Sequence, residues 1–246
     1  MLRAIGPITG CELLAQDGLI GRCRDFLFDD HDWSIRWMVA DTGKWLAGRQ
    51  VLVAPAALGT PDWRGRKLPL RLTREQVEQS PPLAADAPVS RRWERAWFGH
   101  FGFPHYWEGL GAWGIGAQLE PEARHEPGLE PSADEGDPHL RSCQELIGYH
   151  VEASDGPIGH VDELIVDDGA WRIALVVLRT RNLLPGPRVL AAVGAIAAID
   201  AAQRLVTTPL GRDDIRDSVA YSPGRPVTTD ALEQARGQLG RLSARA

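Results

Sequence analysis

The chain repeats itself, and that repeat constrains its fold more than any other feature. A shift of 138 positions lays Gly10 on Gly148 and needs no gap through the module that follows. Asp17-Gly18 then falls on Asp155-Gly156, Ile20-Gly21 on Ile158-Gly159, and Asp29-Asp30 on Asp167-Asp168. Trp33 meets Trp171, Ile35 meets Ile173, Thr42 meets Thr180, Gly48 meets Gly186, and Val51-Leu52 meets Val189-Leu190. Roughly 18 of the 49 positions from Gly10 to Leu58 are identical to their counterparts, where unrelated segments would share about three. The offset persists through Leu72 on Leu210, Arg74 on Arg212, Ser80 on Ser218 and Pro88-Val89 on Pro226-Val227.

Each copy reads as β-structure. Asp17-Gly18 lies between two runs of β-compatible residues and predicts a two-residue hairpin turn, whose type I′ form needs positive φ at both central positions. A strand reaching Phe28 is followed by the acidic turn Asp29 to Asp32. Trp33, Ile35, Trp37 and Val39 then alternate with Ser34, Arg36 and Met38, the period of a half-buried strand. Further strands are predicted at 50–54 and 68–72, and Thr73-x-x-Gln76 suits a capping box opening a short helix. The second copy repeats the pattern at 158–166, 171–178, 188–192 and 205–208. Many short strands with turn signals between them indicate a small barrel or sandwich, and closure would remove exposed edges. Trp33 and Trp171 are expected to be buried.

The boundaries follow: a first barrel over 1–80, a spacer over 81–142, a second barrel over 143–218, and a helical tail over 219–246. Ser90 is placed to cap a helix that begins Arg91-Arg92-Trp93. Residues 98–117 are rich in Gly and aromatics, and 120–138 are acidic and Pro-rich, as a solvated linker would be.

Taken together, Asp155-Gly156-x-Ile158-Gly159-His160-Val161, Val166-Asp167-Asp168, Trp171-x-Ile173 and Thr180-Arg181-Asn182 resemble the PRC-barrel family. Asp17-Gly18-x-Ile20-Gly21, Asp29-Asp30, Trp33-x-Ile35 and Asp41-Thr42-Gly43-Lys44-Trp45 are similar to the same motif. The resemblance spans Gly10 to about Ser80 and Gly148 to about Ser218. The stretch ending Pro104-His105-Tyr106-Trp107 resembles the spacer of bacterial proteins with two such modules. The resemblance implies a mainly β chain: two tandem small PRC-type β-barrels joined by an aromatic, Gly/Pro-rich spacer with short helices. The family includes the cytoplasmic part of the photosynthetic reaction-centre H subunit, and a similar barrel occurs in the bacterial ribosome maturation factor. It brings no catalytic residues. The second copy departs at Arg179 and Leu183, where the first has Asp41 and Trp45, so part of a shared surface is expected to be lost there.

Other chemistries find little support. The net charge of −6 argues against nucleic acid, whose binding is dominated by clustered Lys and Arg. Three cysteines without close pairs suggest no disulfide framework and fit a reducing cytoplasm. No apolar run reaches the ~20 residues of a membrane span. The Asp29-Asp30-x-Asp32 and Asp167-Asp168 carboxylates sit at turns, where Asp caps its own backbone. With Asp155-Gly156 as the turn, His150 would lie opposite Val161 and His160 opposite Val151, pointing the two imidazoles apart and away from a shared metal. His100 and His105 have no evident third ligand. Gly111-x-x-Gly114-x-Gly116 has the wrong spacing for a dinucleotide loop. Cys11 and Cys23 map onto Tyr149 and Val161, as packing residues would.

The remaining candidate is aromatic. Trp93, Trp97, Trp107 and Trp113, with the Phe and Tyr residues between them, either cover a barrel or form a protein-docking surface, where Trp and Tyr are the usual anchors. Trp93 and Trp97 share a helix face. The tail from Thr228 follows the same offset without any aromatic, so one such cover is expected per chain, docked in the seam between the barrels with Trp97 and Trp107 partly buried. The functional expectation is a non-enzymatic adaptor without cofactor or metal, binding a protein partner. The alternative is an accessory subunit of a photosynthetic or other electron-transfer complex that binds a small ligand or membrane complex.

Overall fold

The computed structural model describes residues 1–84, 88–103, 136–180 and 186–243. Trp107, Trp113, most of the acidic stretch and Leu183 lie outside them.

The strands are β1 (Leu2–Ala4), β2 (Glu12–Ala15), β3 (Gly18–Asp29), β4 (Ile35–Asp41), β5 (Val51–Val53), β6 (Lys67–Pro69), β7 (Leu140–Ser142), β8 (His150–Ala153), β9 (Gly156–Asp167), β10 (Arg172–Arg179), β11 (Arg188–Ala192), β12 (Ala198–Asp200) and β13 (Leu205–Thr207). The helices are α1 (Arg74–Gln79), α2 (Arg91–Phe101), α3 (Cys143–Leu146), α4 (Arg212–Arg216) and α5 (Thr229–Ser243). The chain is mainly β, with two mixed sheets. One runs β5-β4-β3-β2-β6 with β7 also on β3, and the other runs β11-β10-β9-β8-β13-β12 with β1 also on β9. The repeat offset carries each strand of the first order onto its counterpart in the second, including the parallel β2–β6 and β8–β13 pairs. Neither sheet closes into a barrel. Short segments cover the outer edges instead: Gln50 donates to the Leu83 carbonyl beside β5, and Leu190 donates to Val219 beside β11.

The chain divides into two compact units, one of Pro7–Arg141 and one of Met1–Gly6 with Ser142–Ala246. The division cuts across the repeat at both ends, because β1 completes the sheet of the second copy.

The hairpins differ from expectation by one residue. Ala15 pairs with Gly18 and Ala153 with Gly156, so the loops are Gln16-Asp17 and Ser154-Asp155. The aspartates reach instead to a helix start. Asp17 Oδ1 accepts the Arg74 amide at 2.7 Å, and Asp155 Oδ1 accepts the Arg212 amide at 2.8 Å. Each thereby satisfies a free donor at the start of α1 or α4. Gly21 and Gly159 recur because a Cβ there would lie 2.0 Å from the Asp41 carbonyl oxygen and 1.8 Å from that of Arg179. The expected capping box opens α1, with Gln76 N donating to Thr73 Oγ1 and Thr73 N to Gln76 Oε1. Ser90 caps α2 through the Trp93 amide, and Gly102 ends it in the left-handed region at φ 68°.

Trp33 and Trp171 are each 7% exposed, as expected. They precede β4 and β10 rather than opening them, with φ of 63° and 49°, a strained region for a bulky residue. The preceding Asp makes the turn: Asp29 Oδ1 accepts the His31 amide and Asp167 Oδ1 the Gly169 amide, each at 3.0 Å. Burial of the indole holds that backbone in place.

Three substitutions test this account in denaturant titrations. Trp171→Ala should cost about 3–5 kcal/mol, and Gly159→Ala should also destabilise. Gly237→Ala should have the opposite sign and stabilise by about 1 kcal/mol, because nothing lies within 4 Å of a Cβ at that helical position.

Candidate functional site

The aromatic helix α2 packs on the sheet of its own unit, and its anchor is ionic. Arg36 projects from β4 and is 0% exposed, as is Glu94 on α2. Arg36 Nη2 donates to Glu94 Oε1 at 2.6 Å, and Nη1 donates to Asp137 Oδ2 at 2.7 Å and Asp29 Oδ2 at 3.1 Å. Trp37 Nε1 also donates to Glu94 Oε1, at 2.9 Å. Arg91 completes the group through Glu94 Oε2 at 3.1 Å and Asp137 at 3.6 Å. A lone buried charge would be prohibitive; here each carboxylate meets a guanidinium, so the network fixes the helix on the strand rather than leaving a group free to react.

Electrostatics within the network run in two directions. Burial pushes the Asp29 carboxyl above the ordinary aspartate range, against the pull of Arg36. Burial acts likewise on Asp137, but Arg36, the His139 amide and Arg91 outweigh it and hold that carboxyl below the usual range.

The rings close around these charges. Trp37 meets Trp97 edge to face at 5.0 Å and Trp93 at 5.1 Å, and Phe98 lies 5.6 Å away. Trp97 is 1% exposed and belongs to the core. Trp93 is half-buried, with its Nε1 donating to the Pro81 carbonyl at 3.2 Å. Phe101 and Phe103 are half-buried against Trp97, at 4.5 and 5.9 Å. The structure thus brings Trp93 and Trp97 together around Trp37 and gives them different exposures.

The sequence foresaw a helical tail over 219–246 but not that its helix covers a sheet as α2 does. The offset carries α2 onto α5, and α5 also covers a sheet: Ala235 is buried with Ile165, Leu175, Val177, Leu190 and Ala192, and Ala231 and Leu232 pack alongside. The expectation of one cover per chain is therefore corrected. Arg36, Trp37, Glu94 and Trp97 correspond to Ala174, Leu175, Leu232 and Ala235. Paired small aliphatic residues do in the second copy what paired Trp and ionic residues do in the first, so missing aromatics did not mean a missing cover.

One further expectation changes. His150 and His160 are direct cross-strand partners, because the shifted loop and a bulge between Val151 and Glu152 together reset the register. His150 N donates outward to the Arg204 carbonyl at 2.9 Å, so the pair is of the non-hydrogen-bonded kind, with side chains on one face. In the first copy the equivalent Glu12 and Arg22 meet at 3.4 Å. Among the described residues no group of three or more His, Cys, Asp or Glu side chains could hold a metal ion. At Arg179 the second copy reverses the charges of the first: Arg179 Nε and Arg188 Nε each donate to Asp162 at 2.6 Å, and Asp162 and Arg179 correspond to Arg24 and Asp41.

Removing one member of a buried ionic group costs about 3–5 kcal/mol, and Glu94→Ala should show a loss of that order in denaturant titrations. The aspartates make a signed prediction about pH. A carboxyl held low in the fold contributes stability above its ordinary range and loses it as pH falls, whereas a raised one does the reverse. The destabilisation caused by Asp137→Asn should therefore shrink between about pH 6 and pH 3, and that caused by Asp29→Asn should grow.

These assignments stand on geometry alone: no family model matches the chain, and no curated protein matches it.

Proposed function

We propose that the chain is a non-enzymatic adaptor built on two PRC-type barrel modules, and that it meets a protein partner through the ring edge of α2. The carrying observation is the unequal exposure of one aromatic cluster. Trp37, Trp97 and Phe98 are buried, while Trp93, Phe101 and Phe103 stay half in water around them. A rigid, partly exposed aromatic rim over a packed base suits a binding hot spot, where aromatic anchors dominate the energy. The ionic network beneath orients the helix, which lowers the ordering cost of binding.

What supports the barrel reading is the common strand order of the two sheets, the bulges along β3 and β9, and the close approach at Gly21 and Gly159. These features curl a sheet. The three cysteines are free and buried, which fits a reducing compartment such as the cytoplasm. Among the described residues no helix is long and apolar enough to cross a membrane.

The test is affinity capture from the source cell with the full-length protein, followed by binding titrations with the captured partner. Trp93→Ala and Phe101→Ala should each weaken binding by about tenfold or more, and each should lower the thermal midpoint only modestly and stay folded at the assay temperature. Equal binding by both variants and the parent would reject the ring edge as the interface.

A further inference from the structure

The part of the β9 edge that holds β1 is built for one strand, and the molecule builds it twice. Leu2, Arg3 and Ala4 pair antiparallel with Asp167, Val166 and Ile165. The ladder continues through Asp168 N to the Met1 carbonyl at 3.0 Å and Ile5 N to the Leu164 carbonyl at 2.9 Å. Gly6 N donates to the Glu163 carboxylate at 3.2 and 3.3 Å. Arg3 Nε donates to Asp168 Oδ2 at 2.7 Å, and Leu2 and Ala4 pack on the core of that unit.

The offset carries β1 onto β7, Arg3 onto Arg141 and Asp168 onto Asp30. β7 pairs with β3, Arg141 Nε meets Asp30 Oδ2 at 2.8 Å, and Asp30 N donates to the His139 carbonyl at 2.9 Å. The same arginine–aspartate latch thus marks both sites. In both, the strand received comes from the segment heading the other copy, and for β1 the chain leaves its host unit between Gly6 and Pro7.

We propose that this β9 edge is a self-association site whose occupant in trans is the residue 1–6 strand of a second copy of this chain, so that two chains pair by exchanging N-terminal strands. Every contact made in cis is available unchanged in trans. The balance therefore depends on the Gly6-Pro7 hinge and on protein concentration, not on a new interface. This holds whether or not the ring edge of α2 binds a partner.

Cysteine pairing in mixtures of full-length chains tests the proposal. Leu2 and Asp167 face each other between ladder hydrogen bonds, a geometry that suits a cross-strand disulfide. A Leu2→Cys chain mixed with a differently tagged Asp167→Cys chain should give a disulfide-linked heterodimer whose yield rises with concentration. The yield should exceed by about tenfold that of Leu2→Cys mixed with Lys44→Cys, an exposed position off the strand. Charge exchange sharpens the result: Leu2→Cys/Arg3→Asp with Asp167→Cys/Asp168→Arg joins opposite charges only in trans, and its yield should be higher still. Yields no greater than the Lys44→Cys control would overturn the proposal. So would a heterodimer confined to the charge-exchanged mixture, because the native edge would then accept only its own chain's strand.

Discussion

The unmet backbone edge of a long strand is the constraint on which each unit depends. β3 and β9 each run for 12 residues, about 40 Å of extended chain. β2 pairs with β3 only as far as Arg22, and β8 with β9 only as far as His160. Beyond those points the other flank of each strand is occupied by β4 or β10, and the near flank would present free amides and carbonyls. Such an edge either binds a strand or invites aggregation. β7 and β1 fill it, and the second aspartate of each Asp-Asp pair holds the arginine of the incoming strand. The two aspartates therefore divide the work: the first forms the turn, and the second fastens the strand.

Much of this was written in the repeat. Strand positions, the Thr73 and Ser90 caps and the burial of both tandem tryptophans followed from alternation and turn chemistry, because those signals are local. The hairpin register did not. Asp-Gly normally occupies the turn itself, but here the aspartate is recruited to the start of a helix some 57 residues later, a demand no local pattern reveals. The exchange left a faint trace, since Leu2-Arg3 recurs as Leu140-Arg141 at the same offset. A two-residue match carries little weight alone, and which sheet a strand joins is a long-range choice. The ionic network was hidden for the same reason: Arg36 read as the polar face of an alternating strand, and only the fold brings Glu94 and Asp137 to it.

The two helix–sheet joints show how one geometry can be held by unlike chemistry. In the second unit Leu175, Leu232 and Ala235 make an apolar contact that needs no polar partner. In the first unit the same positions carry Trp37, Glu94 and Trp97, with Arg36 beside them. A buried ionic group adds little net stability over a well-packed apolar one, so stability alone does not account for the difference. What the charged version adds is direction. An apolar contact tolerates small slides and rotations of the helix, whereas a guanidinium shared among three carboxylates tolerates few. The helix with the more constrained seat is also the one that carries half-exposed rings, and a surface that must present Trp93 and Phe101 in fixed positions gains from that constraint. On the adaptor reading the duplication has thus kept one scaffold and given its copies different roles. In the second copy α5 is free to act as plain cover, while in the first α2 is held in register by charge and displays the aromatic edge.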